Sequence, residues 1–199
     1  MAMVAGWERA MLADDAFDEA AVVAQARADA AQFAPLYARY FPRIYRYCLR
    51  RVASPMEAED LTSAIFTSAL AGLGGYRGGS FAAWLFQIAH HAVISHRRTR
   101  DTAHSTLLAL VASTPYAPDA EEEAMARLVA VEQHALLTRA ITTLSEEQQE
   151  VLALKLSGRL TAREIGAVLG KSEGAVRVAL HRLIQQLRLA CQPMGEGEK

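Results

Sequence analysis

Cysteine is nearly absent: Cys48 and Cys191 are the only two in 199 residues. They lie too far apart for a CxxC motif, so neither a disulfide framework nor a zinc site is signalled, and a reducing compartment is the simplest setting. Long apolar runs are missing as well. No uninterrupted stretch approaches the roughly 20 residues that cross a bilayer, and the N-terminus carries acidic rather than basic residues. We therefore expect a cytoplasmic protein with no membrane insertion. Strand signals are scarce, because no clean apolar/polar alternation is bounded by turn residues. No Ser/His/Asp grouping or pair of carboxylates marks a pocket. The loop Gly74–Ser80 lacks the lysine of a phosphate loop and follows a helix rather than a strand. His90 and His91 are adjacent and so point to different helix faces, and with His96 they make no ligand set. No enzymatic activity, cofactor or metal is expected.

What is present is helical. Apolar residues recur at three- and four-residue spacing, which predicts an all-α protein. Residues 8–31 read as a weak, acidic, alanine-rich helix. A stronger one spans 33–52, with Phe33, Leu36, Tyr37, Tyr40, Ile44, Tyr47 and Cys48 on its apolar side, and Pro42 is expected to bend or break it. Ser54-Pro55-Met56-Glu57 has the form of a capping box with proline at the first helical position, so a helix starts there and runs to about Leu70. The glycines from Gly72 onward stop it, and Phe81 opens another that ends in the basic residues His96, Arg97, Arg98 and Arg100. Two further capping boxes, Ser145–Gln148 and Thr161–Glu164, set helix starts at 146 and 162.

Net charge is −1, but its distribution is uneven. Residues 33–101 hold nine basic against four acidic side chains, and 134–190 hold eight against five. Residues 1–32 and 102–133 are acidic, with two against six and one against five. Two basic blocks held apart by an acidic segment offer two phosphate-attracting surfaces. The connector contains Pro115 and Pro118 and weak periodicity, which reads as a flexible linker. The expected organisation is an N-terminal acidic extension (1–32), a first helical domain (33–101), a linker (102–133), a second domain (134–190) and a tail (191–199).

The punctuation of residues 161–187 is that of a helix-turn-helix. Thr161 caps a short helix that faces Ile165, Val168 and Leu169 inward, Gly170-Lys171-Ser172 makes the turn, and the next helix buries Val176, Leu180, Leu183 and Leu187. Lys171, Ser172, Glu173, Arg177, Val178, His181 and Arg182 are left at the turn and on the outer face, where a recognition helix meets bases and phosphates. A plain helical hairpin with a solvated face would lack the coincidence of cap, turn glycine and outward cations.

The first block interleaves aromatics with cations. Tyr76 and Arg77 sit in the glycine loop, Phe81 follows it, and Arg97 and Arg98 end the helix. Stacking can hold an unpaired base while cations track phosphate. Helical spacing makes Trp84, Ile88 and Val93 core, leaving Tyr76, Arg77 and Phe81 as the better contact candidates.

Together the blocks resemble a sigma factor of the sigma-70 family, in its extracytoplasmic-function (ECF) group. The residues that carry the resemblance are Phe33–Tyr37 with Ile44–Tyr47, Glu57–Thr62 with Ile65-Phe66, Tyr76–Gly78 with Ser80–Ala89, and Leu144–Gln148 onward through Leu183. The resemblance implies that the helix over Ser54–Leu70 docks on core RNA polymerase through Asp60, Leu61, Thr62 and Phe66. It implies that the loop Tyr76–Phe81, including Ser80, takes a base flipped from the non-template strand at the minus-ten element. It implies that Ser172–Arg182 reads the minus-thirty-five duplex in the major groove, and that an anti-sigma protein would occlude one or both domains. The chain departs from the family at Ile88-Ala89-His90-His91, where Ile-Ala-Arg-Asn is usual, replacing a permanent cation with titratable groups. Ala175 and Val178 also stand where small polar residues are more frequent.

Two rival readings use fewer of these features. A helix-turn-helix repressor or activator, with residues 1–130 sensing a ligand or dimerising, needs no single-strand site. An adaptor that makes only protein contacts would leave the basic faces merely solvated. Polymerase binding separates both from a sigma factor.

Overall fold

The computed structural model describes residues 17–52, 54–99 and 139–190. The expectations made for 1–16, for the linker 102–133, for Arg100 and for the tail with Cys191 lie outside the described residues. Seven α-helices are described, with two short 3-10 turns, and among the described residues there is no strand.

The front lobe is built from four helices. α1 (Glu19–Ala28) begins at Asp18, whose carboxylate accepts from the Ala21 N–H. α2 (Ala34–Leu49) is continuous across Pro42, so of the expected bend or break the break does not occur. Pro42 is exposed, so the Ala38 carbonyl it leaves without a helix partner faces solvent. Burial of Tyr40, Ile44, Tyr47 and Cys48 on the opposite face offsets the lost bond. Tyr37, expected on that apolar side, is 42% exposed. α3 (Pro55–Gly72) is capped by Ser54, which accepts from the Glu57 N–H at 3.2 Å, and a 3-10 turn (Leu73–Gly75) follows it. α4 (Phe81–Thr99) is started by the Ser80 hydroxyl, which accepts from the Ala83 N–H. Its residues at four-residue spacing, Phe81, Leu85, Ala89 and Val93, are all fully buried.

The rear lobe holds α5 (Glu146–Leu156), α6 (Ala162–Leu169) and α7 (Glu173–Ala190). Both capping boxes expected in this lobe are complete, with Ser145 and Gln148, and Thr161 and Glu164, each satisfying the other's backbone N–H.

The two lobes close against one another. Leu154, Leu160, Ile165 and Val168 of the rear join Tyr47, Phe81 and Phe86 of the front in one apolar cluster. A Cβ added to Gly158 would lie 3.2 Å from the Phe86 ring, so the rear backbone rests directly on a front-lobe aromatic. A smaller cluster, Ile141, Leu144, Leu152 and Leu183, belongs to the rear lobe alone.

Candidate nucleic-acid interface

The turn between α6 and α7 follows from two glycines. Gly170 ends α6 with φ 67°, the left-handed conformation that costs a side-chain-bearing residue about 1–2 kcal/mol. Gly166 permits the close approach of the next segment, because a Cβ there would sit 2.5 Å from the Lys171 carbonyl oxygen. Ser172 then caps α7, its hydroxyl accepting from the Ala175 N–H at 3.2 Å. Val176 and Leu183 are buried, while Leu180 and Leu187 pack at the edges of the cores. The outer face carries Arg177, Val178, His181 and Arg182, all exposed, with Val178 half open at 50%. Arg177 pairs with Glu173 one turn earlier, and Lys171 pairs with Glu147 of α5. A shallow cleft of about 400 Å³ runs between α5 and this face, lined by Glu147, Lys171, Val178 and Arg182. All seven residues singled out for duplex contact are thus on one accessible edge.

The glycine loop is less uniform. Gly78 and Gly79 both have φ 91°, and the Tyr76 hydroxyl donates to the Gly79 carbonyl at 2.7 Å, closing the loop on itself. Tyr76 is half-buried, Arg77 and Arg98 are exposed, and Arg97 is partly exposed. Phe81 is the exception: it has no accessible surface and packs against Tyr40, Tyr76 and Trp84, with ring centroids 5.4, 5.7 and 5.4 Å away. As the first residue of α4 it falls on the same stripe as Leu85 and Ala89, so its position in the helix places it in the core and not against a base. Trp84 and Ile88, expected in the core, are only half-buried, and Val93 is fully buried.

The α3 candidates divide in the same way. Asp60 is exposed, but Leu61, Thr62 and Phe66 are 8%, 0% and 4% accessible, and the Thr62 hydroxyl donates to the Ala58 carbonyl at 2.6 Å. These three face the front-lobe core, where Phe66 meets Phe33 and Tyr37. The surface α3 offers a partner is instead Met56, Glu59, Asp60, Ser63, Thr67 and Leu70, with Met56 70% and Leu70 39% exposed. Helical arithmetic could have found them: once Leu61, Ile65 and Phe66 are assigned inward, the residues on the far side of the helix are outward.

Family comparison assigns both halves. Residues 36–103 match the model described as Sigma-70 region 2, and residues 134–187 match Sigma-70 region 4. The chain belongs to the sigma-70 family. It is 32% identical over 162 residues to the ECF RNA polymerase sigma factor BldN of Streptomyces coelicolor, covering 80% of this chain and 60% of BldN. It is 32% identical over 166 residues to the RNA polymerase sigma factor YlaC of Bacillus subtilis, covering 82% of this chain and 94% of YlaC. The fold is also that of CnrH, solved in complex with the cytosolic domain of CnrY, with a TM-score of 0.59 at 22% identity over 84% of this chain and 93% of CnrH. The chain is accordingly an alternative sigma factor of the ECF group, a family that is not a class of enzymes. No described helix is long and apolar enough to cross a membrane. Among the described residues no cluster of three or more His, Cys, Asp or Glu could hold a metal ion.

In this sigma factor the seam between the lobes is polar at three points where the rear lobe supplies a carboxylate. Glu146 pairs with Arg97 at 2.5 Å, and Glu164 accepts from the Ser80 hydroxyl. Glu150, 5% exposed, accepts from the Tyr47 hydroxyl at 2.6 Å and lies 2.9 Å from His90 Nδ1 and 2.6 Å from the Arg51 guanidinium. The Arg51 contact is an ion pair by distance without hydrogen-bond alignment. Burial by itself would push the Glu150 carboxyl up, but the bond to His90, the charge of Arg51 and the bond to Tyr47 outweigh it and hold the carboxyl below its ordinary value. His90, the departure from the family pattern, therefore faces the rear lobe, while His91 is exposed. Sequence reasoning missed Glu150 altogether: it sits one residue from the apolar Val151 and signals nothing locally.

Proposed function

We propose that this chain binds core RNA polymerase and directs it to a promoter class by gripping separated DNA with the front lobe and reading duplex with the rear lobe. The observation that carries the reading is the α6–α7 turn, where Gly166, Gly170 and Ser172 set α7 at an angle that leaves Arg177, Val178, His181 and Arg182 facing outward together. Lys171, Ser172 and Glu173 flank that face, and the seven residues form the minus-thirty-five contact. Tyr76 and Arg77, with Arg97, Arg98 and Ser80, form the single-strand contact at the minus-ten element. Asp60 and the exposed α3 residues around it face polymerase. Residues 33–101 and 134–190 are the working domains, residues 102–133 the connector, and the molecule has no catalytic activity of its own. It acts in the cytoplasm and is held in check by an anti-sigma protein.

The closed arrangement is not the promoter-bound one. Elements some 25 base pairs apart lie roughly 85 Å from each other along duplex at about 3.4 Å per pair. Lobes that share a core cannot span that distance, so polymerase binding must part them. Parting also frees Ser80 and Arg97, two single-strand candidates, from Glu164 and Glu146. The test is run-off transcription with sequencing, using this chain, core polymerase and fragmented genomic DNA. Discrete start sites with a shared upstream element are expected; the absence of initiation at any promoter would overturn the reading in favour of a conventional helix-turn-helix repressor or activator.

A further inference from the structure

The outer face of α7 has an apolar centre. Val178 comes two residues after Val176 and five before Leu183. At about 3.6 residues per turn it therefore stands roughly 150° round the helix from both of those buried side chains. It is 50% exposed, so packing within the protein does not account for a valine there. Its neighbours on the helix surface are Gly174 and Ala175 one turn before and His181 and Arg182 one turn after, all exposed. A Cβ added at Gly174 would meet nothing within 4 Å, so the backbone beside Val178 is open to close approach. Ala175, Val178 and Ala179 continue as an apolar lining into the cleft of about 400 Å³ beside α5, which Lys171 and Arg182 also line.

Phosphate oxygens and the acceptors on base edges suit the donors of Lys171, Arg182 and His181. A valine side chain can neither donate nor accept a hydrogen bond, so it matches none of them. Among the groups that the four bases present in the major groove, the C5-methyl of thymine is the one alkyl group. Pressing a valine against the amino group of adenine or cytosine, or the oxygen and nitrogen of guanine, would strip those sites of water without replacing the lost bonds. Against a thymine methyl the same contact removes apolar surface from water on both sides.

We propose, resting on the sigma-factor reading above, that Val178 selects thymine at one position of the minus-thirty-five duplex by covering its C5-methyl group. Gly174 and Ala175 leave room for the base edge to reach it. The cations around Val178 hold the strand and read neighbouring positions, and the valine supplies a preference that a cation cannot.

The experiment uses the full chain, core polymerase and a promoter library randomised across the upstream element. Run-off sequencing should show thymine enriched at one position. Replacing that thymine by deoxyuridine removes the methyl group and leaves every hydrogen-bonding atom in place. At subsaturating holoenzyme it should lower initiation about fourfold, which corresponds to about 0.8 kcal/mol, the worth of one buried methylene-sized group. This comparison is made in the unaltered chain and depends on no variant folding. Val178→Ser should make thymine and uracil equivalent at that position while the other base preferences persist. Val178→Ala should do the same, and because alanine favours the helix the loss cannot come from a weakened α7. Initiation indifferent to uracil at every thymine of the element, or a uracil penalty undiminished in both variants, overturns this inference alone. No initiation by the unaltered chain at any library member overturns the sigma-factor reading beneath it.

Discussion

Phe81 and Tyr76 are in ring contact but differ in burial, Phe81 fully enclosed and Tyr76 half-buried. Phe81 is enclosed on all sides, so Phe81→Ala should cost about 3–5 kcal/mol in urea unfolding of the full chain. Tyr76→Ala should cost far less stability and should instead weaken strand opening, read by permanganate reactivity of promoter thymines in the holoenzyme. Equal losses of stability from both would sink the division. Cys48 provides a second residue-scale test. Burial pushes its thiol up to about 12, against the opposing effect of a bond with Thr62, and only the thiolate reacts with alkylating agents. In a Cys191→Ser background, iodoacetamide should label the native chain at a small fraction of the rate seen in urea. Rapid native labelling would mean that the α2–α3 packing opens readily.

At the scale of elements, the α6–α7 turn depends on the two glycines for different reasons. Gly170→Ala meets only the left-handed backbone cost of about 1–2 kcal/mol, since nothing lies within 4 Å of the added methyl. Gly166→Ala drives a methyl into the Lys171 carbonyl and must move the turn, at about 1–3 kcal/mol. Because the turn sets the direction of α7, Gly166→Ala should also weaken duplex binding, whereas Gly170→Ala should leave it near its original value. Thermal melts paired with gel shifts on a cognate minus-thirty-five duplex would check both. Equal duplex affinity in the two variants would show that α7 does not depend on the turn for its aim.

At the scale of the molecule, the three rear-lobe carboxylates make the closed state sensitive to charge. Removing one partner of a buried ion pair commonly costs about 3–5 kcal/mol, because the other charge is left desolvated. Here the lobes can separate and return Arg51 to water, so Glu150→Ala should open the molecule rather than unfold it. Small-angle scattering should report a larger radius of gyration while helix content by circular dichroism stays unchanged. A compact Glu150→Ala chain would remove Glu150 from the lock. Acid should act similarly. The Glu150 and Glu164 carboxyls both sit below their ordinary value in the closed state, Glu164 because bonds from Ser80 and Thr161 outweigh its burial. A lowered carboxyl stabilises the closed form above the ordinary carboxylate range, and that contribution disappears as pH falls through the lowered values. Opening is therefore expected as pH falls below about 4.3, the ordinary glutamate value.

Much of this protein is written in short-range grammar. Caps such as Ser145–Gln148 and Thr161–Glu164, the glycine at 170 and the four-residue apolar stripes act over one or two turns, so helix starts and the helix-turn-helix were legible before any fold was known. The outward face of α7 followed from them. The sequence-level reading failed where a residue's role depends on a partner far along the chain. Phe81 and Phe66 look like contact aromatics until Tyr40 and Phe33 are set against them. Glu150 acquires meaning only from His90 and Tyr47, 60 and 103 residues away. The local penalty at Pro42 predicts a bend or a break, whereas burial on the opposite face keeps the helix continuous. Local hydrogen bonding determines where helices begin and turn; which faces meet, and which charges are thereby taken out of water, is settled only when distant segments pack.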